Sequence, residues 1–420
     1  MRRSDGRRRV VVTGLGLVTP LGTGPAEVWR SATSGKACAG PITLFDTSEH
    51  TTTFACEVEG FNPVGYMEHK SARRMDRFAQ LGVAAARLAL DEARLSPDGN
   101  AARMGVLVGS GVGGLGTFQR QMESYVERGP QRVSPLFIPM MIANMASAQI
   151  SMELGLKGPL SCATTACASG NHAIGDATEI IRRGHADVML AGGAEAAITG
   201  IGIAAFNSMK ALSTRNDEPA RASRPFDAGR DGFVMGEAGA VLVLEELEHA
   251  ISRGAELICE VVGYGQSGDA HHLTDPDPTG EGPARAMTMA LEDAGVEPGQ
   301  VDYVNAHGTS TPVGDSAEVR VLALALGPEV AARTPVSSTK SMHGHCLGAA
   351  GGLEGALVAM AIREGVIPPT INLEDLDGDC AGVDHVAISS READVRVALS
   401  NSFGFGGHNA TIAFARLDER

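Results

Sequence analysis

Aromatic residues make up only 4% of this 420-residue chain, and tryptophan occurs once. With 43% of residues hydrophobic, the core must be built mostly from Ala, Val, Leu, Ile and Met. No apolar run reaches the roughly 20 residues that a spanning helix needs. The opening "MRRSDGRRR" leads into "VVVTGLGLV", too short and glycine-rich for a secretory core, so a soluble, cytoplasmic chain with no membrane role is expected. Positive charge is in deficit. A formal net charge of -15 argues against a general nucleic-acid binder and means that an acidic partner needs a local basic patch. There is no CxxC. The seven cysteines, Cys38, Cys56, Cys162, Cys167, Cys259, Cys346 and Cys380, are odd in number, which argues against a disulfide framework. Cys162 and Cys167 have no matching second pair, so no metal site is expected.

What is present is alternation. "RVVVTG", "RMGVLVGS", "ADVMLAGG", "AVLVLEE", "LICEVVGYG", "VDYVNAHG", "TPVSSTKS" and "VRVALSNS" read as buried strands. "DRFAQLGVAAARLALDEARL", "GPARAMTMALEDAG", "SAEVRVLALAL" and "LEGALVAMAIREG" read as helices. The pattern is α/β, with apolar strands covered on both faces. "MGVLVGSGVGG" matches "VDYVNAHGTST" in layout. "ADVMLAGGAEAAITGIG" and "VRVALSNSFGFGGHNATIAFA" each read as strand, glycine turn and second strand. These matches imply an internal duplication, with halves at 1–255 and 256–420 packed together and no low-complexity linker.

Candidate chemistry centres on "SCATTACASGNHAIGD". Cys167 precedes a helical stretch that Gly184 stops, and a helix N-terminus favours thiolate. The alternative is a small buried thiol, the usual fate of a cysteine; Cys162 has no partner motif and reads as a core residue. A nucleophile needs polar partners from elsewhere. "NAHGTSTPVGD" puts His307 at a strand end. "SSTKSMHGHCLGAAGGLE" puts Lys340, His343 and His345 between a strand and a helix, with Glu354 just beyond. Strand-end loops are where sites collect in α/β folds; the alternative is solvated or structural side chains. Lys340 and Glu354, if buried, should pair. The glycine loops "GLGLVTPLG" and "GSGVGGLG" lack a phosphate-loop lysine and dinucleotide spacing.

Taken together, "TACASG", "NAHGTSTPVGD", "STKSMHGHCLGAAGG" and "SFGFGGHN" resemble the elongating β-ketoacyl-acyl-carrier-protein synthases, over nearly the whole chain. The resemblance implies a thiolase-like fold, an internally duplicated α-β-α-β-α layered sandwich. It also implies an acyltransferase that joins an acyl group to malonyl-carrier protein with loss of carbon dioxide. Position by position, Cys167 aligns with the acylated cysteine, His307 and His345 with the histidine pair, and Lys340 and Glu354 with a supporting ion pair. Phe405 aligns with a gate residue whose N–H joins that of Cys167 in an oxyanion hole. Thr274, Thr309 and Thr311 match pantetheine-contacting threonines, and Val112, Phe137 and Phe206 match the acyl tunnel. Lys70, Arg73 and Arg74 stand where the resemblance implies carrier docking, with Arg132 and Lys210 as further candidates; the alternative is a solvated helix start. No metal or redox cofactor is implied, since 4'-phosphopantetheine arrives on the carrier. The family implies a dimer, either a homodimer or a heterodimer with a chain-length factor.

Two departures stand out. His343 replaces the usual threonine, two residues from His345, which marks it as a pocket candidate. "GEAGAV" has alanines where glycines are usual. The competing reading is the ketosynthase subunit of a type II polyketide system, paired with a cysteine-less chain-length factor. A non-catalytic scaffold is disfavoured by the intact Cys167, His307, His345 and Lys340. A degradative thiolase is disfavoured because "GFGGHN" holds no second cysteine.

Overall fold

The computed structural model describes Arg3 and residues 6–417. Ten strands form the body of a twelve-stranded sheet: β1 (Val10–Thr19), β2 (Met104–Gly109), β3 (Leu160–Ser161), β4 (Val188–Glu195), β5 (Ala238–Glu246), β6 (Cys259–Gly268), β7 (Tyr303–Asn305), β8 (Pro335–Ser337), β9 (Val397–Gly404) and β10 (His408–Ala415). Outward from one side of the centre they run β1-β5-β4-β2-β3; outward from the other, β6-β10-β9-β7-β8. The two halves have the same order. They also have the same directions: the inner two pairings of each half are antiparallel and the outer two parallel. They meet where β1 pairs antiparallel with β6.

Five helices complete the layers: α1 (Arg77–Glu92), α2 (Ser169–Arg182), α3 (Glu281–Ala294), α4 (Pro312–Leu326) and α5 (Ala350–Glu364). α1 covers the outer face of the first half, and α3, with α4 beside it, covers the second. α2 and α5 each touch strands of both halves, so they form the middle layer of an α-β-α-β-α sandwich. Every residue of β1, β4 and β5 is buried, which is why these strands read as unbroken apolar runs instead of alternating ones.

The middle layer sets the position of the site. A Cβ on Gly170 would lie 2.6 Å from the Gly352 nitrogen, and one on Gly351 would lie 2.5 Å from the Asn171 nitrogen. Only glycine lets the starts of α2 and α5 touch backbone to backbone. Cys167, two residues before α2, and His345, on the turn that leads into α5, are thereby brought side by side.

Two readings need correction. In "ADVMLAGGAEAAITGIG", β4 runs through both glycines to Glu195, and the next element is a helix, Gly200–Ser208, capped by Thr199, whose hydroxyl accepts from Gly202 N. A short capping motif outweighed the strand-like composition. "VRVALSNSFGFGGHNATIAFA" is the β9–β10 hairpin. Cys162 is half-buried and lies just after the edge strand β3, so it is not a core residue. All seven thiols are free. Among the described residues, no helix is long and apolar enough to cross a membrane.

Candidate active site

Cys167 sits on a bend held against backbone preference. Ala166 has φ 51°, a left-handed conformation that costs about 1–2 kcal/mol without glycine. Thr165 N donates to Ser169 Oγ (2.9 Å), which donates to Ala166 O (2.7 Å) and closes the bend at the start of α2. The β9–β10 turn lies against it. A Cβ on Gly404 would be 2.8 Å from Thr165 O and 3.1 Å from Cys167 N, so only glycine brings the next residue, Phe405, up to the sulfur.

The two histidine loops are fixed independently. After β7, the backbone N–H groups of His307 and Gly308 both donate to the Glu318 carboxylate on α4 (2.8 and 2.7 Å). His345 comes after the short helix Lys340–His343; its N–H donates to Val234 O (2.7 Å), and its carbonyl accepts from Gly236 N (2.9 Å). His345 Nε2 then lies 3.0 Å from Cys167 Sγ. The His307 and His345 rings are 5.3 Å apart and nearly perpendicular.

Burial dominates the electrostatics. It pushes the Cys167 thiol up to about 12, against the opposing pull of Lys340 and of the backbone N–H groups of Phe405 and Cys167. A thiolate favoured by the helix N-terminus is therefore not the resting state: desolvation exceeds the dipole. Burial, with Lys340 second, holds both His307 and His345 well below the ordinary histidine range. The site rests as a neutral thiol among neutral imidazoles. Lys340 and Glu354 form a fully buried ion pair beneath it, and burial pushes the Glu354 carboxyl up to about 7 against the pull of Lys340.

A cavity of about 570 Å³ opens onto Cys167. Its walls include Val112, Phe206, Lys210, Thr274, Thr309, Thr311, His307, His345 and Phe405. Thr309 Oγ1 and Thr311 Oγ1 are 3.1 Å apart on one wall, and Phe206 packs 6.4 Å from Phe405. Two substrate candidates lie elsewhere. His343 is fully buried behind the site, with Nε2 3.1 Å from Thr339 Oγ1, so it does not line the cavity. Phe137 lies on the helix Phe137–Met141, outside the cavity and packed on Phe118 (6.3 Å). Lys70, Arg73, Arg74 and Arg132 are exposed and away from the cavity walls.

Sequence reasoning missed two carboxylates. Glu318 fixes the His307 loop. Glu195, at the end of β4, accepts from Ser110 Oγ (2.8 Å), Gly111 N (2.6 Å) and Gly348 N (3.0 Å), tying the Val112 wall to the turn after His345; burial pushes it up to about 7. An acidic residue ending a strand, like Glu195, or lying within a helix, like Glu318, reads as surface, so only the fold reveals either role. Chemically, the arrangement offers a thiol nucleophile, two imidazoles converging on one cavity and two N–H donors beside the sulfur, a set suited to acyl transfer.

Comparison with known proteins gives a consistent set. Residues 7–250 match the model for the β-ketoacyl synthase N-terminal domain, and residues 258–374 that for its C-terminal domain. The chain is 50% identical over 411 residues to 3-oxoacyl-[acyl-carrier-protein] synthase 2 of Synechocystis, covering 98% of each. It is 47% identical over 412 residues to the protein of the same name from Staphylococcus aureus, covering 98% of this chain and 99% of the relative. Three solved structures are similar. A β-ketoacyl synthase from Burkholderia phymatum has TM-score 0.91 at 39% identity. The ishigamide ketosynthase/chain length factor has 0.92 at 38%. A type II polyketide ketosynthase solved with its acyl-carrier protein has 0.90 at 32%. Each covers 98% of this chain and 100% of its own.

Proposed function

Because the chain belongs to the β-ketoacyl synthase family, we propose that it elongates fatty acids by condensing an acyl group, held on Cys167, with malonyl-acyl carrier protein to give 3-ketoacyl-carrier protein. The observation that carries the reading is the 3.0 Å contact between His345 Nε2 and Cys167 Sγ at the end of the cavity, with His307 alongside. His345 is the base within reach of the thiol proton. The sulfur attacks the acyl thioester carbonyl, the N–H groups of Cys167 and Phe405 receive the negative oxygen, and the carrier's pantetheine thiol leaves with the proton. The malonyl thioester then enters past Thr309 and Thr311 and loses carbon dioxide. Neutral His307 and His345 each offer one N–H to the developing enolate oxygen, and Lys340 behind them favours that neutral state. The carbanion attacks the acyl-Cys carbonyl and releases the sulfur. The residues named need no metal or redox cofactor for these steps.

Fatty acid elongation is favoured over polyketide synthesis by the relatives' names and by 47–50% identity to them, against 32–38% to the polyketide-related structures. The partner is an acyl carrier protein, met in the cytoplasm. The chain works as a dimer in this reading, which draws on the exposed apolar side chains Met122, Tyr125, Val126 and Ile138 on two helices that pack together and Leu160 on the edge strand β3. Phe137, half-buried, precedes Ile138 on the same short helix.

The test is intact-mass measurement after incubation with carrier proteins bearing different acyl chains. The chain should gain the mass of one acyl group, and Cys167→Ala should gain none while keeping its fold. An alanine variant that still became acylated would refute the mechanism.

A further inference from the structure

The same three side chains that suit acyl transfer also make a ligand set. We propose that Cys167, His307 and His345 bind a borderline-soft divalent cation, Zn²⁺ foremost, and that this reversibly blocks the unacylated enzyme. One ligand atom from each residue lies within 4.8 Å of the others. Around tetrahedral zinc, with Zn–S near 2.3 Å and Zn–N near 2.0–2.1 Å, neighbouring ligand atoms stand roughly 3.3–3.6 Å apart. The sulfur and His345 Nε2, now 3.0 Å apart, need open by only about half an ångström to reach that spacing.

Three further features favour occupancy. Nδ1 of both His307 and His345 is buried with no hydrogen-bond partner, so either ring can turn a lone pair toward the cavity without breaking a bond; with no acceptor to orient the rings, binding is weaker than at a fully supported site, which suits a reversible block. The donors are one sulfur and two imidazoles, a set that selects zinc over magnesium or calcium. The cavity leaves room for water as the fourth ligand. Against these stands Lys340, whose charge reaches both imidazoles; its pairing with Glu354 offsets only part of that charge. On binding, the thiol gives its proton to water as the sulfur–metal bond forms, and no electron moves. A sulfur committed to a thioester cannot take this role, so acylation and metal binding exclude each other; this last point rests on the function proposed above.

Cobalt(II) serves as the spectroscopic probe. Titrated anaerobically into the full chain, it should raise a sulfur-to-cobalt charge-transfer band and intense four-coordinate visible bands, which Zn²⁺ then abolishes. Cys167→Ser should lose the charge-transfer band, whereas Cys38→Ser/Cys162→Ser, which removes the two partly exposed thiols, should keep it. Zn²⁺ should also block iodoacetamide labelling of Cys167 in the wild type, read by peptide mass, which needs no variant to fold. No band in the wild type, a band surviving in Cys167→Ser, or unprotected labelling would each overturn the site. Acyl-loaded enzyme should give no band, and a band there would overturn the mutual exclusion. If the wild type shows the band yet accepts no acyl group, the metal site stands and the proposed function falls.

Discussion

His343 isolates, in one side chain, the cost of burying an imidazole. Desolvation and the nearby Lys340 hold it down to about 3, whereas the unfolded chain titrates near 6.5. Between those values the unfolded state binds the extra proton, so this residue's contribution to stability falls as pH falls, at up to about 1.4 kcal/mol per pH unit. His307 and His345 act in the same sense. Glu195, Asp315 and Glu354, each raised to about 7, act in the opposite sense between roughly pH 4 and 7. The variant His343→Gln keeps all of those groups and removes one imidazole. Measured by urea unfolding, the stability of the wild type relative to this variant should therefore drop by about 2 kcal/mol between pH 6.5 and 5; a parallel pair of curves would contradict the buried neutral imidazole. Residues of this kind divide by legibility. Cys167, His307 and His345 were readable because each sits in a motif beside a strand end or helix start. Glu195 and Glu318 were not, because each acts by accepting hydrogen bonds mainly from loop backbone N–H groups, far away in sequence for Glu195 and on the loop before its own helix for Glu318, and backbone donors carry no sequence signature.

At the scale of elements, the long apolar strands and the main helices were legible from periodicity, since β1, β4 and β5 are buried along their whole length. The Gly200–Ser208 helix was not, because a single Thr199 cap decided it. The β9–β10 turn was legible as a glycine turn, but its task became visible only when Gly404 met the Cys167 bend. The atoms around a Gly404 side chain would be backbone (Thr165 O, Cys167 N and Ala168 N at 2.8–3.2 Å), so nothing flexible can yield. Gly404→Val should push the Phe405 N–H away from the sulfur. Losing one oxyanion donor costs roughly 10²–10³ in kcat. Single-turnover acylation of Cys167 should slow by about that factor while the far-ultraviolet circular dichroism is kept. Acylation at the wild-type rate would show that the Phe405 N–H is not part of the machinery.

At the scale of the molecule, the proposed carrier and the proposed second protomer call for different surfaces, one basic and one apolar. A chain of net charge -15 repels an acidic carrier everywhere except at local basic ground. Arg73 and Arg74, exposed just before α1, form no ion pair among the described residues, so their charge is available to a partner. Reversing both to Glu should raise KM for carrier-bound acyl substrate about tenfold, most at low salt, with kcat nearly unchanged; an unaltered KM would remove the docking assignment.

The apolar surface is the other of the two. Val126 is 77% exposed and Ile138 54%, on two helices that pack together, and the edge strand β3 pairs on one side only. An uncovered edge and an apolar patch on one monomer invite association. A second copy seated there would cover both. It would also bear on Phe137, which the family resemblance matches to the acyl tunnel and which stands outside the cavity of a single chain: a residue that serves a partner's site need not line its own. Val126→Asp together with Ile138→Asp buries two charges in such an interface, each costing several kcal/mol unless paired. Sedimentation at micromolar concentration should then show a dimer for the wild type and a monomer for the double variant. A double variant that sediments as the wild type does would place the subunit contact on another surface.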